Sequence, residues 1–130
     1  MRHVWRPLPI TAAFVAVGAA IEVLWRAHAA WWLVPLGVIG PDLSFLAGIG
    51  GPANVGGLMP PRVVRPYNLV HRLGGPVALV GAATALRAAP GVVLGLSWAA
   101  HVFWDRGVGY GLRRSDGSII EPRPVHKRMS

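Results

Sequence analysis

The chain has 130 residues, enough for one domain, of which 53% are hydrophobic and only 14% charged. A soluble domain carries about a quarter charged residues and, at this size, has a large surface to cover with polar side chains, so a soluble globular fold is disfavoured and the mean hydropathy of +0.46 points to a membrane. The absence of cysteine excludes a disulfide framework, a thiolate metal site and a cysteine nucleophile. The net charge of +8 lies at the ends of apolar runs and in the C-terminal tail, so the expected partner is the lipid bilayer and nucleic acid is not.

The first apolar segment spans about residues 7–25, with Pro7 suited to a helix's first turn. Arg2 and Arg6 precede it, as they would a signal peptide, but the run is longer than an h-region of about 7–15 residues and contains Glu22. It is expected to be a retained transmembrane helix, with Glu22 paired locally to Arg26 four residues on. The second segment, about residues 29–49, opens on Trp31-Trp32 as an interfacial aromatic pair would. Pro41 is expected to kink it beside Asp42.

The connection from 50 to 65 is rich in glycine and proline, with Gly50-Gly51-Pro52, Gly56-Gly57 and Pro60-Pro61. A mobile or lid-like loop is expected there, because no Gly-Lys-Ser/Thr follows that would make it a phosphate cradle. The third and fourth segments span about residues 66–86 and 90–108. Each of the four has near the roughly 20 residues a helix needs to cross the hydrocarbon. Lysines and arginines divide nine to two between alternate connections. That asymmetry places both termini and the 50–65 loop in the cytoplasm. The expected fold is all-α: a polytopic membrane protein built as a four-transmembrane-helix bundle of two antiparallel hairpins, over residues 1–112. A flexible basic cytoplasmic tail is expected from 113 to 130.

Three of the five acidic residues, Glu22, Asp42 and Asp105, fall inside these segments. A charge at the bilayer centre costs at least ~2.5–3.5 kcal/mol, so ionisable residues there point to function. His101 and Asp105, four apart, share one helix face, as do Asn68, His71 and Arg72. The topology puts these groups and Asp42 at one depth, toward the cytoplasmic side. Two carboxylates and two imidazoles suit a divalent ion such as zinc, manganese or iron, with Asp42, His71, His101 and Asp105 as ligands. Asn68 and Ser44 are candidates to orient a ligand, and Arg72 or Arg106 to hold a substrate phosphate. The competing reading is a non-enzymatic scaffold or transporter subunit, in which Asp42 or Asp105 pairs with Arg72 and Arg106 and a hydrogen-bonded histidine joins a structural ion-pair network.

Pro41-Asp42-Leu43-Ser44, Tyr67-Asn68-Leu69-Val70-His71, Trp98-Ala99-Ala100-His101 and Asp105-Arg106-Gly107-Val108-Gly109-Tyr110-Gly111-Leu112 together resemble the motifs of domain of unknown function 4260, a family of small bacterial integral membrane proteins. That resemblance covers about residues 29 to 118 and implies a multi-pass protein of the bacterial inner (cytoplasmic) membrane, without assigning an activity. A more distant likeness is to the membrane-bound metal-dependent hydrolases, whose Pro-Asp-x-Asp and His-x-x-x-Asp elements match Pro41-Asp42 and His101 with Asp105. Ser44 stands where their second carboxylate would be. This likeness implies hydrolysis of a membrane-embedded or lipid-derived substrate.

Overall fold

The computed structural model describes residues 6–51, 56 and 58–120. The protein is all-α. Helix α1 runs Pro7–Ala27, α2 runs Leu33–Ile39 and continues as a 3-10 segment over Gly40–Gly48, α3 runs Pro61–Val70, α4 Gly74–Ala85 and α5 Ala89–Val108. Helix α5 is the axis of the molecule, with α1, α2 and α4 packed around it and α3 set against the 3-10 segment.

The α1–α5 seam is made of small side chains. Ala13, Ala16 and Ala20 are the buried residues of α1, spaced at three and four so that they form one stripe. The large residues of α1, among them Phe14, Val15 and Ile21, face outward. Close approach recurs where α2 meets α5. A Cβ on Gly37 would stand 2.5 Å from the Ser97 Cβ and 2.8 Å from the Leu94 carbonyl oxygen. The Ser97 hydroxyl is turned back onto the Val93 carbonyl (2.8 Å), which leaves its Cβ face for Gly37. Gly37→Val is therefore expected to force α2 off α5 and destabilise the protein by about 1–3 kcal/mol, the usual range for overpacking. A thermal melt in detergent would measure it. An unchanged melting temperature would mean that the two helices are not in this register.

The elements differ from the sequence expectation in four places. The second segment is a helix only from Leu33, and changes to 3-10 at Gly40. Pro41 lacks the N–H that would bond to the Gly37 carbonyl, so the expected kink takes the form of a tighter helix carrying Asp42. The third segment, expected as one helix over 66–86, is two. Helix α3 begins at Pro61, with Pro66 inside it, because Val63, Val64 and Tyr67 form a buried stripe opposite exposed Arg62 and Arg65. It is interrupted at His71–Leu73, where Gly74-Gly75-Pro76 is a poor continuation: two glycines lose helix entropy and Pro76 has no N–H to give Arg72. The exposed Val70 carbonyl left by the break accepts the indole N–H of Trp98 at 2.6 Å.

The 50–65 connection is accordingly shorter than expected, since 61–65 is helical; residues 52–55 and 57 lie outside the described residues. Finally, Arg113 to Ile120 form a hairpin instead of the start of a flexible tail. Arg113 bridges Ile119, and the Met59 amide donates to the Gly117 carbonyl at 3.1 Å. The Ser118 hydroxyl and amide donate to Asp116 (2.6 and 2.8 Å), which holds that carboxyl below its ordinary range. Residues 121–130, the rest of the expected tail, lie outside the described residues.

Among the described residues one helix, Pro7–Ala27, is long and apolar enough by itself to cross a membrane. The twelve residues of α4 span only about 18 Å, short of the hydrocarbon thickness. Arg6 donates its amide to the Gly107 carbonyl at 3.0 Å, so the start of α1 and the end of α5 lie at the same end of the bundle.

Candidate metal centre

At that end, side chains from three elements converge. Asp42 comes from the 3-10 segment, His71 from the α3–α4 break, and His101 and Asp105 from successive turns of α5. The two imidazole Nε2 atoms are 3.1 Å apart. Asp105 Oδ2 lies 3.3 Å from His71 Nε2 and 3.4 Å from His101 Nε2. Asp42 Oδ1 is 3.5 Å from His101 Nε2 and 3.9 Å from His71 Nε2. The imidazoles are buried (3% and 7% exposed), Asp105 is 17% exposed and Asp42 51%.

The tautomer of His71 follows from its neighbour. Nδ1 sits 2.8 Å from the Tyr67 carbonyl oxygen, which can only accept, so Nδ1 carries the proton and the neutral ring keeps its lone pair on Nε2. The His101 imidazole turns its own Nε2 toward the same place, 3.1 Å from that of His71. Two Nε2 atoms thus face one point, with a carboxylate oxygen approaching from either residue 42 or residue 105. In a tetrahedral site with donors about 2.0–2.1 Å from the ion, neighbouring donors are about 3.3–3.4 Å apart. The His–His, His–Asp105 and His101–Asp42 separations fall close to this value. Asp42, His71 and His101 form a group whose ligand atoms all lie within 4.8 Å of one another and could hold a metal ion.

The supports of the site include residues that the sequence did not single out. The Tyr67 ring stacks on the His71 imidazole, with centroids 3.8 Å apart and planes 19° from parallel, and its hydroxyl donates to the Gly111 carbonyl at 3.3 Å. Its signal was present: Tyr67 is four residues before His71, the spacing that puts a carbonyl beneath a side chain one turn on. Trp98 donates its indole N–H to the Val70 carbonyl at the helix break from which His71 projects.

The candidates for orienting roles are placed differently. Asn68 exchanges two hydrogen bonds with the Arg113 backbone, Nδ2 to the carbonyl at 2.7 Å and Oδ1 from the amide at 2.8 Å. It pins the hairpin and does not reach a ligand. The Ser44 hydroxyl is buried without a hydrogen-bond partner. Arg72 is exposed on the break. Arg106 instead lines a crevice with Tyr67, His71 and Asp105. Of the competing network the arginine part is not formed: among the described residues the sole arginine–carboxylate pair is Arg26 with Glu22, the local pair expected from their spacing, whereas its histidine–carboxylate contacts are present.

The sequence profile of the domain of unknown function DUF4260 matches residues 9–119. The chain belongs to this family. All four converging residues lie within the matched region, as do α5 and all but the first two residues of α1. No curated protein and no solved structure matches the chain.

Proposed function

We propose that this DUF4260 member is a multi-pass protein of the cytoplasmic membrane that holds one divalent ion, of the zinc class, and hydrolyses a membrane-embedded or lipid-derived substrate at it. The observation that carries the reading is the meeting of two buried imidazole Nε2 atoms with carboxylate oxygens of Asp42 and Asp105, at separations from 3.3 to 3.9 Å. Neutral imidazoles offer lone pairs and carboxylates offer negative charge, so a cation among them would be held by both kinds of donor.

The zinc class is favoured by the mixed imidazole and carboxylate donors at tetrahedral spacing. Such an ion lowers the pKa of a bound water to about 7 and so supplies a nucleophile at neutral pH. His71, His101 and Asp105 would be the three firm ligands. Asp42, the farthest and most exposed of the four, is placed to yield its position to water. In the hydrolysis the water oxygen bonds to the substrate's electrophilic atom, the ester bond breaks, and the water's proton ends on the leaving oxygen.

The membrane reading is supported by an inverted distribution of side chains. Alanine, valine, serine and histidine fill much of the interior, whereas Leu8, Phe14, Ile21, Trp25, Leu36 and Ile39 are among twenty large apolar side chains that, among the described residues, are exposed to the surroundings. Lipid is the solvent in which that arrangement is favourable. The nine-to-two division of basic residues supports a cytoplasmic location for the site. In this topology α1, α2 with the 3-10 segment, the α3–α4 pair and α5 take the places of the four spans. The amphipathic α3 lies at the interface and α4 penetrates from it.

Metal analysis of the purified protein tests the proposal. One equivalent of zinc per chain is expected after equilibration and removal of free metal, together with hydrolysis of a lipid ester that stops on chelation and resumes on adding zinc. A wild-type chain that takes up no divalent metal overturns it.

A further inference from the structure

Resting on the proposed metal reading, we infer that Arg106 forms an anion subsite beside the centre, and that the group it holds is the phosphate of a phosphate ester. The crevice is narrow, about 10 Å3, which is room for roughly one water. His71, Asp105, Arg106, Tyr110 and Gly111 are among the residues that line it. A substrate can insert a single oxygen toward His71 and Asp105 while the rest of it remains outside.

Charge selects the ligand. A divalent ion is neutralised by Asp42 and Asp105, and the imidazoles stay neutral when they ligate. Arg106 then adds one positive charge to the mouth with no carboxylate within 4.0 Å of it, among the described residues, to balance it. It is only partly exposed, and an unpaired guanidinium at a low-dielectric boundary is costly. Arg113 likewise has no acidic partner among the described residues: its Nε is buried with no hydrogen-bond acceptor, and its Nη1 reaches only the Gly117 carbonyl at 3.3 Å. With Asp42 and Asp105 engaged by the ion, Arg106 is an uncompensated charge that lines the crevice.

Among anions the geometry favours phosphate. A guanidinium offers two parallel N–H groups that match two oxygens of a phosphate or carboxylate. With two of its oxygens on Arg106, a tetrahedral phosphate still has a third to direct toward the ion, whereas a planar carboxylate has none. Arg72, exposed on the helix break and not lining the crevice, has no part in this subsite.

The test uses the full chain in detergent micelles and follows binding by calorimetry, with and without one equivalent of zinc. One arm titrates inorganic phosphate, and the other titrates mixed micelles of phosphatidic acid against phosphatidylcholine micelles. Phosphate binding to the wild type is expected to weaken at least tenfold in Arg106→Gln, to be partly retained in Arg106→Lys, and to be unchanged in Arg72→Gln. Equal binding by wild type and Arg106→Gln, or no phosphate binding by the wild type in either arm, overturns the inference. Arg106-dependent binding in a chain that takes up no zinc would leave the subsite standing and remove the metal reading instead. Tighter binding of phosphatidic acid micelles than of inorganic phosphate assigns the group to a lipid headgroup; the reverse order assigns it to a free phosphate ester.

Discussion

His101→Ala is expected to abolish stoichiometric zinc binding, with an affinity loss beyond the roughly 10–100-fold that follows removal of a residue that merely orients a ligand. His71→Ala should act alike, since both imidazoles are buried with Nε2 aimed at the same point. Asp105→Asn should follow closely, because its Oδ2 touches both rings. Asp42→Asn should cost least: its carboxylate is half exposed and its longest separation is 3.9 Å. This order is itself the test, for a surface-bound adventitious ion would not grade the four residues by burial and distance.

Stability should move in parallel. Zinc at about 100 times Kd stabilises a folded protein by about 2.7 kcal/mol, so the wild type should melt higher with zinc and His101→Ala should not respond. Zinc uptake should also decline as pH is lowered, because protons compete for the same Nε2 lone pairs. A near-isosteric His101→Gln, checked by circular dichroism, separates loss of the ligand from loss of the fold. If zinc still raises the melting temperature of both His101 variants, the imidazoles are structural hydrogen-bonding groups and the centre does not exist.

The second large effect concerns the outer face of α1. Val15 is 66% exposed near the middle of the helix, where the proposed topology puts it in hydrocarbon. Val15→Arg should cost at least ~2.5–3.5 kcal/mol of insertion free energy, or on the order of 70-fold in the membrane-inserted fraction by the usual conversion. Leu8→Arg, at the helix end, is the control: its side chain is 83% exposed but can extend to the headgroups, so little change is expected. Alkaline carbonate extraction of membranes reads both. Wild-type protein released without detergent, or a Val15→Arg chain that stays in the pellet as the wild type does, would overturn the membrane assignment.

Composition and periodicity made much of this architecture legible. An all-α chain follows from apolar runs without a strand alternation, and α1 and α5 were readable to within about two residues at their ends, because each is a long, uninterrupted run with proline near its start. The proximity of Asp42, His71, His101 and Asp105 was also expected from sequence, since ionisable groups in apolar segments are few and these four fall at matching heights. Their meeting within 3.1 to 3.9 Å was another matter. It depends on a helix break after Val70 and on a 3-10 turn at Asp42, which Gly74-Gly75-Pro76 and Pro41 favour locally, and on long-range contacts such as the Trp98 indole on the Val70 carbonyl that hold the break against α5.

What the sequence alone determined, then, was the chemistry available: which segments are apolar, which carry ionisable groups, and that no cysteine takes part. Tertiary structure decided which of those groups face one another. It turned Asn68 away to the Arg113 backbone, separated Arg72 from Arg106, and made Tyr67 the support that sets the His71 tautomer. The physical reason is one of range. Hydropathy and helical spacing are local properties that a chain displays residue by residue, whereas ligand convergence depends on how helices cross, and that is fixed by close contacts such as Gly37 against Ser97 that no single segment contains.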